Sequence, residues 1–240
     1  MLSVDNIRVN YGHLEVLHGV SIEVGKGEVV ALLGANGSGK STLLRACCGL
    51  LRPSSGSIQF DGHDVADHKL HDVVRMGLAY CAEGRRTFAQ QSVLDNLVLG
   101  AYSLGGLNDR TRPRFDDVLS IFPILKERLK QPAGMLSGGQ RQILAIAQAL
   151  MSDPKLLMLD EPSAGLAPVL VEEMFAALHR LKEQGTSLLL AEQAVGHALA
   201  ISDRGYVLEV GHVVLEDTAT ELQASPAVQA AYMGGFDATS

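Results

Sequence analysis

Gly34-Ala35-Asn36-Gly37-Ser38-Gly39-Lys40-Ser41-Thr42 is the stretch whose reading decides the fold. It matches G-x-x-x-x-G-K-[ST], a glycine-rich loop that wraps the phosphates of a nucleotide. At ordinary glycine usage the pattern arises by accident in roughly one chain of this size per hundred, so its surroundings must support it. Ahead of it, Glu28 to Leu33 reads as a strand covered on both faces. Behind it, a helix is expected from about Lys40 to Cys48, with Gly49 as its C-terminal stop. Strand, glycine loop and helix form the context a phosphate loop requires. The glycines permit backbone N–H groups to point at a triphosphate and leave no side chain in the way. The helix start adds about half a positive charge. In this reading Gly34, Asn36, Gly37, Ser38, Gly39 and Thr42 line the phosphates of ATP. Lys40 lies against the β- and γ-phosphates, and the Ser41 hydroxyl ligates Mg²⁺. The competing reading is a glycine-rich turn before an ordinary helix.

Leu156-Leu157-Met158-Leu159-Asp160-Glu161 supplies the complementary chemistry. Four apolar residues predict a buried strand with two carboxylates at its C-terminal end, the end at which parallel α/β sheets bind ligands. Asp160 is expected to hold Mg²⁺, directly or through water, and Glu161 to orient and polarise the attacking water as general base. Taken alone, the pair could equally be a solvated acidic strand end. A metal cluster at His63, His68 and His71 among Asp64, Asp67 and Asp72 matches ligand spacing only loosely, and a solvated helix face explains it better. Neither G-x-S-x-G nor H-E-x-x-H occurs.

The rest of the 240 residues alternates strand and helix patterns, which predicts an α/β fold with a mostly parallel sheet flanked by helices. Leu2, Val4, Ile7 and Val9, then Val16 to Val24, read as strands joined at Tyr11-Gly12. Ser57–Phe60 and Ser187–Ala191 are further strands, and Tyr206–Val210 with His212–Leu215 is a hairpin split by Gly211. Val93 to about Lys130 is helical with a polar break at Asn108–Pro113. Ser137 caps a helix to Met151, and Val169–Lys182 and Gly196–Ile201 are helical. The division expected is an α/β core with its β subdomain at 1–82 and 141–215, an inserted helical subdomain at 83–140, and a short helical tail at 216–240.

With 47% apolar residues the chain can bury a sizeable core. A net charge of −7 argues against a nucleic-acid partner, which would need a basic face. No apolar run approaches the ~18 residues needed to cross a bilayer, and no signal-peptide pattern opens the chain. Cys47, Cys48 and Cys81 form no C-x-x-C pair and are expected as buried thiols in a reducing cytosol.

Leu136-Ser137-Gly138-Gly139-Gln140, followed by Arg141-Gln142, resembles the signature of the ABC (ATP-binding cassette) superfamily. The resemblance implies a P-loop NTPase (RecA-like) core, an N-terminal antiparallel β subdomain and an inserted α-helical subdomain. It also implies two cassettes packed head to tail, with Ser137, Gly138, Gly139 and Gln140 meeting the nucleotide held by the partner. Read alone, Ser137 is an ordinary helix cap. Tyr11 matches the family's adenine-stacking aromatic; otherwise it is a turn tyrosine.

Tyr80-Cys81-Ala82-Glu83-Gly84-Arg85-Arg86-Thr87-Phe88 resembles the LivF branch, the ATPases of branched-chain amino acid importers, with Cys81-Ala82 where that branch has Val-Pro. Glu161 to Pro168, Ala191-Glu192-Gln193 and the closing Ala231-Tyr232-Met233-Gly234-Gly235 are similar to it as well. Glu83 stands where most ABC proteins have Gln, and as an anion can ligate Mg²⁺ or water. Gln193 stands where most have a switch His; it can hydrogen-bond a γ-phosphate but brings no titrating group. The alternative for Gln193 is a surface loop amide. The resemblance implies an ATPase at the cytoplasmic face of the inner membrane. Its partners would be separate permease subunits, a second cassette (a sister or its own copy) and, indirectly, a solute-binding protein. Urea, short amides or other amino acids are the alternative solutes, and a soluble ABC ATPase acting on DNA or ribosomes is the rival class.

Overall fold

The computed structural model describes residues 1–84 and 87–233. Its centre is a six-stranded sheet built from β3 (Val29–Leu33), β6 (Leu78–Cys81), β7 (Leu156–Asp160), β8 (Ser187–Glu192), β9 (Arg204–Glu209) and β10 (His212–Thr218). The order is β10-β9-β3-β8-β7-β6, parallel except for the β9–β10 hairpin. All residues of β3, β7 and β8 are buried, as continuous apolar strands in a doubly covered sheet must be. Their side chains alternate between faces. Leu156 and Met158 join a core with α1 (Lys40–Cys47), whereas Leu157 and Leu159 join the core beneath the helices. A second, antiparallel sheet of β1 (Leu2–Tyr11), β2 (Leu14–Val24), β4 (Ser55–Phe60) and β5 (His63–Asp64) closes over the α1 side in the order β2-β1-β4-β5.

The other side is covered by helices. α2 (Leu70–Arg75) precedes β6. α3 (Val93–Gly100), α4 (Arg112–Ile121) and α5 (Pro123–Lys126) lead to the long α6 (Gly138–Leu150). α7 (Pro168–Glu183), α8 (Val195–Ile201) and α9 (Ala219–Ala224) follow, and a turn at Pro226–Val228 comes after them. Gly100 lets α3 approach α6 closely, because a Cβ there would overlap the Gln148 carbonyl oxygen.

Most expected elements are present, with four differences. Pro113 does not interrupt a helix; it lies in the first turn of α4, where its missing N–H costs nothing. Leu78–Cys81 is a strand, although its four residues show no alternation, because β7 pairs with all of them. α6 runs unbroken across the expected boundary at residues 140 and 141, and the helical segment shares one core cluster with the parallel sheet. The expected tail opens as the end of β10 and continues as α9. The motif residues Arg85, Arg86, Gly234 and Gly235 lie outside the described residues.

Candidate nucleotide and metal site

The strand order sets β3, β8 and β7 side by side, so the loops after them converge at one edge of the sheet. After β3 the glycine loop turns through Gly37 and Gly39, with φ of 80° and 111°. A Cβ on Gly39 would stand 2.7 Å from Leu17 Cδ2, so both backbone and packing demand glycine there. The β9–β10 turn braces the loop, since Gly211 N–H donates to Ser38 O at 2.9 Å.

Lys40 opens α1 and is only 4% exposed. Its ammonium donates to Gly34 O at 2.7 Å and Ala35 O at 3.1 Å. Glu161 Oε1 lies 2.9 Å from the same ammonium, an ion pair whose angles fall outside hydrogen-bond geometry. Glu161 has φ 48°, a left-handed conformation that costs a non-glycine residue on the order of 1 kcal/mol and is typical of functional turns. Its N–H donates to Ala191 O at 2.9 Å, which pins the turn to β8.

Beside this pair, Ser41 Oγ donates to Asp160 Oδ1 at 2.9 Å and the Tyr80 hydroxyl donates to Asp160 Oδ2 at 2.8 Å. Asp160 is 1% exposed. A cavity of about 370 Å³ is lined by Val16, Asn36, Gly37, Gly39, Lys40, Ser41, Thr42, Glu83 and Glu161. Most of the expected phosphate and metal residues therefore share one concavity.

The residues present fit a magnesium-bound triphosphate. Ser38 Oγ and Glu161 Oε1 are buried without a hydrogen-bond partner, and an ammonium lies at the cavity wall. The Ser41 hydroxyl and Asp160 carboxylate are hard oxygen donors, the kind Mg²⁺ selects. Among the described residues no cluster of three or more His, Cys, Asp or Glu could cage a metal. A cation here would draw the rest of its shell from phosphate and water, as Mg²⁺ commonly does.

The remaining expected residues stand elsewhere. Tyr11 ends β1 at 41% exposure and is not part of the cavity wall. The Arg45 guanidinium faces its hydroxyl and that of Tyr80, which hold the guanidinium more firmly protonated than usual. Ser137 and Gln140 form a reciprocal capping box at the start of α6, at 3.2 and 3.0 Å. Gly139 admits α7, since a Cβ there would overlap Leu170. None of the residues Ser137 to Gln140 lines the cavity. Gln193 is exposed just past β8 and is likewise absent from the wall.

Sequence reasoning assigned no role to Glu192. It is fully buried and accepts from Ser163 N–H and Ser163 Oγ, both at 2.9 Å, and from the N–H groups of Gln193 and Ala194 at 3.2 and 3.4 Å. It thus ties the loop after Glu161 to the loop carrying Gln193. Burial pushes its carboxyl above the ordinary range, against the pull of these hydrogen bonds. The only sequence signal for it was its place between Ala191 and Gln193.

Comparison with known proteins agrees with this geometry. The ABC transporter family model matches residues 17–164. The chain is 46% identical over 235 residues to the high-affinity branched-chain amino acid transport ATP-binding protein BraG of Pseudomonas aeruginosa, covering 98% of this chain and 100% of BraG. It is 37% identical over 238 residues to the probable branched-chain amino acid transport ATP-binding protein LivF of Archaeoglobus fulgidus, covering 99% and 100%. The lipopolysaccharide export system ATP-binding protein LptB of Escherichia coli is 33% identical, covering 97% of each chain. Among solved structures, an ABC transporter cassette in its ADP conformation superposes with a TM-score of 0.85 at 29% identity, covering 98% of both chains.

Proposed function

The chain belongs to the ABC transporter family, and on that premise we propose that it is the ATP-hydrolysing subunit of an importer, with branched-chain amino acids as the solute. The observation that carries the ATPase reading is the single cavity holding Lys40, Ser41, Glu83 and Glu161, with Asp160 hydrogen-bonded to Ser41 at its edge. The similarity to BraG over the full length supports the solute. The similarity to LptB shows that cassettes of this shape also serve other cargo, so the solute needs its own test.

In this mechanism the loop amides from Gly34 to Thr42 and the α1 N-terminus receive the phosphates. Lys40 exchanges Glu161 for the β- and γ-phosphate oxygens. Ser41 and Asp160 hold Mg²⁺, with Glu83 near it; the bound ion neutralises charge on the transferred phosphoryl group. Glu161, released from Lys40, takes a proton from the attacking water. Gln193 hydrogen-bonds the γ-phosphate without changing charge, and Tyr11 stacks on the base. The α6 N-terminus, with exposed Ser137 and adjoining Gly138 and Gly139, supplies the second half-site to the ATP of another cassette. That division of labour accounts for its distance from the chain's own cavity.

The permease partner is assigned to a second concavity of about 420 Å³ whose walls include Leu50, Leu70, Val74, Tyr80, Ala82 and Gln148. Leu50 and Leu70 are 49% and 42% exposed there, which suits an apolar helical segment. Among the described residues no helix is long and apolar enough to cross a membrane, so the chain would act on a separate permease at the cytoplasmic face.

Reconstitution in vesicles with its permease and binding protein tests the proposal. ATP-driven uptake of leucine, isoleucine or valine, abolished by Glu161→Gln, is expected. Uptake of urea or a short amide instead would replace the solute. Absence of ATP cleavage in the full assembly would overturn the reading.

A further inference from the structure

We propose that Tyr80 is a positioning residue for the metal site, its hydroxyl holding Asp160 in the rotamer that presents Oδ1 to Ser41 and the cation. The inference rests on the reading of Asp160 as a Mg²⁺ ligand and adds a residue to it. β6 and β7 are parallel neighbours with Tyr80 opposite Met158, and Asp160 is the next residue along β7 on that same face. The phenol reaches diagonally across and donates to Oδ2 at 2.8 Å, while Ser41 donates to Oδ1 at 2.9 Å. Each carboxylate oxygen thus has its own hydroxyl, and the plane of the carboxylate is set from both sides. Only Oδ1 lies on the Ser41 side, where the metal would bind.

The donor is well suited to the task. Burial and the neighbouring Asp160 charge push the Tyr80 phenol well above its ordinary range, so it stays protonated and keeps donating. Arg45 faces the same phenol and that of Tyr11, so a line of polar groups runs from Tyr11 through Arg45 and Tyr80 to Asp160 and Ser41. The Tyr80 ring also forms part of the wall of the apolar groove assigned to the permease. A residue that merely filled that wall would need no hydroxyl.

The test uses the full-length chain with Mn²⁺ as probe and a non-hydrolysable ATP analogue. Tyr80→Phe keeps the ring in place and removes only the donor. Free Mn²⁺ is followed by electron paramagnetic resonance, and nucleotide affinity is measured separately in EDTA. Removing a partner that orients a metal ligand weakens metal affinity by roughly 10- to 100-fold. We expect Tyr80→Phe to weaken Mn²⁺ about tenfold while metal-free nucleotide affinity stays within about twofold of the parent. Equal losses in both measurements would make Tyr80 a structural residue and overturn the inference. Asp160→Asn, run in parallel, separates the two levels. If it weakens Mn²⁺ and Tyr80→Phe does not, the positioning role fails; if neither does, Asp160 is not the ligand and both readings fall.

Discussion

Glu161→Gln should make the nucleotide-free chain less stable and bind ATP more tightly, and the two effects share one cause. In the structure Lys40 and Glu161 are 4% and 11% exposed and 2.9 Å apart. Breaking a buried pair and leaving its charge uncompensated costs about 3–5 kcal/mol. Lys40 would not be left bare, because Gly34 O and Ala35 O still accept from it. The loss is therefore smaller, about 1–2 kcal/mol, near the low end for a hydrogen bond to a charged group. For a chain of this size that lowers Tm by roughly 2–8 °C. ATP must take the ammonium away from Glu161, and in the variant that cost disappears. At 1.4 kcal/mol per tenfold, nucleotide affinity rises by roughly 5- to 30-fold. Removing carboxylate–phosphate repulsion acts in the same direction. Turnover falls by about 10²–10⁴ with the loss of the general base. Thermal melts, equilibrium titration with a fluorescent ATP analogue and a phosphate-release assay give the three numbers. If Tm and affinity both stay at the parent values, the ion pair has no energetic weight; if hydrolysis persists, Glu161 is not the base.

Other perturbations test separate parts of the molecule. Ser137→Arg should leave ATP binding to the single chain nearly intact and block hydrolysis in the assembled transporter, since Ser137 is exposed and outside the cavity; a large loss of monomer binding would contradict the two-half-site reading. Glu192 has a raised carboxyl pKa, so its contribution to stability is complete below the ordinary Glu value of about 4.3 and is lost as pH rises through the native value. Glu192→Gln cannot titrate, and its Tm deficit relative to the parent should shrink as pH rises through that window; a widening gap would refute the assignment. Burial raises the Cys48 and Cys81 thiols to about 11 and about 12, and iodoacetamide at pH 8 should modify both at least about a hundredfold more slowly in the folded than in the denatured chain. Comparable rates in both states, read by mass spectrometry, would show that the groove beside them is open to solvent. Gly100→Ala should destabilise by on the order of 3 kcal/mol, because the new Cβ meets backbone and not a yielding side chain; an unchanged urea midpoint would disprove the close α3–α6 contact.

The sequence by itself determined those features whose chemistry is complete within a few neighbouring residues. The glycine loop needs its own glycines, lysine and serine in order, and the start of α6 needs Ser137 and Gln140 three apart. Fully apolar β3 and β7 could be nothing but covered strands, and Asp61-Gly62 and Val210-Gly211 turn through positive φ where the pattern broke. Only the tertiary structure decided which of these pieces act together. Ser41 meets Asp160 across 119 positions, Tyr80 meets Asp160 across 80, and Glu192 closes on Ser163 across 29. The Lys40–Glu161 ion pair belongs to the same class. The physical reason is the strand order: β3, β8, β7 and β6 are neighbours in space and not in sequence, and a hydroxyl or carboxylate finds its partner only after the sheet has placed their ends side by side. β6 shows the same dependence, since four residues without alternation become a strand through the backbone groups that β7 offers them.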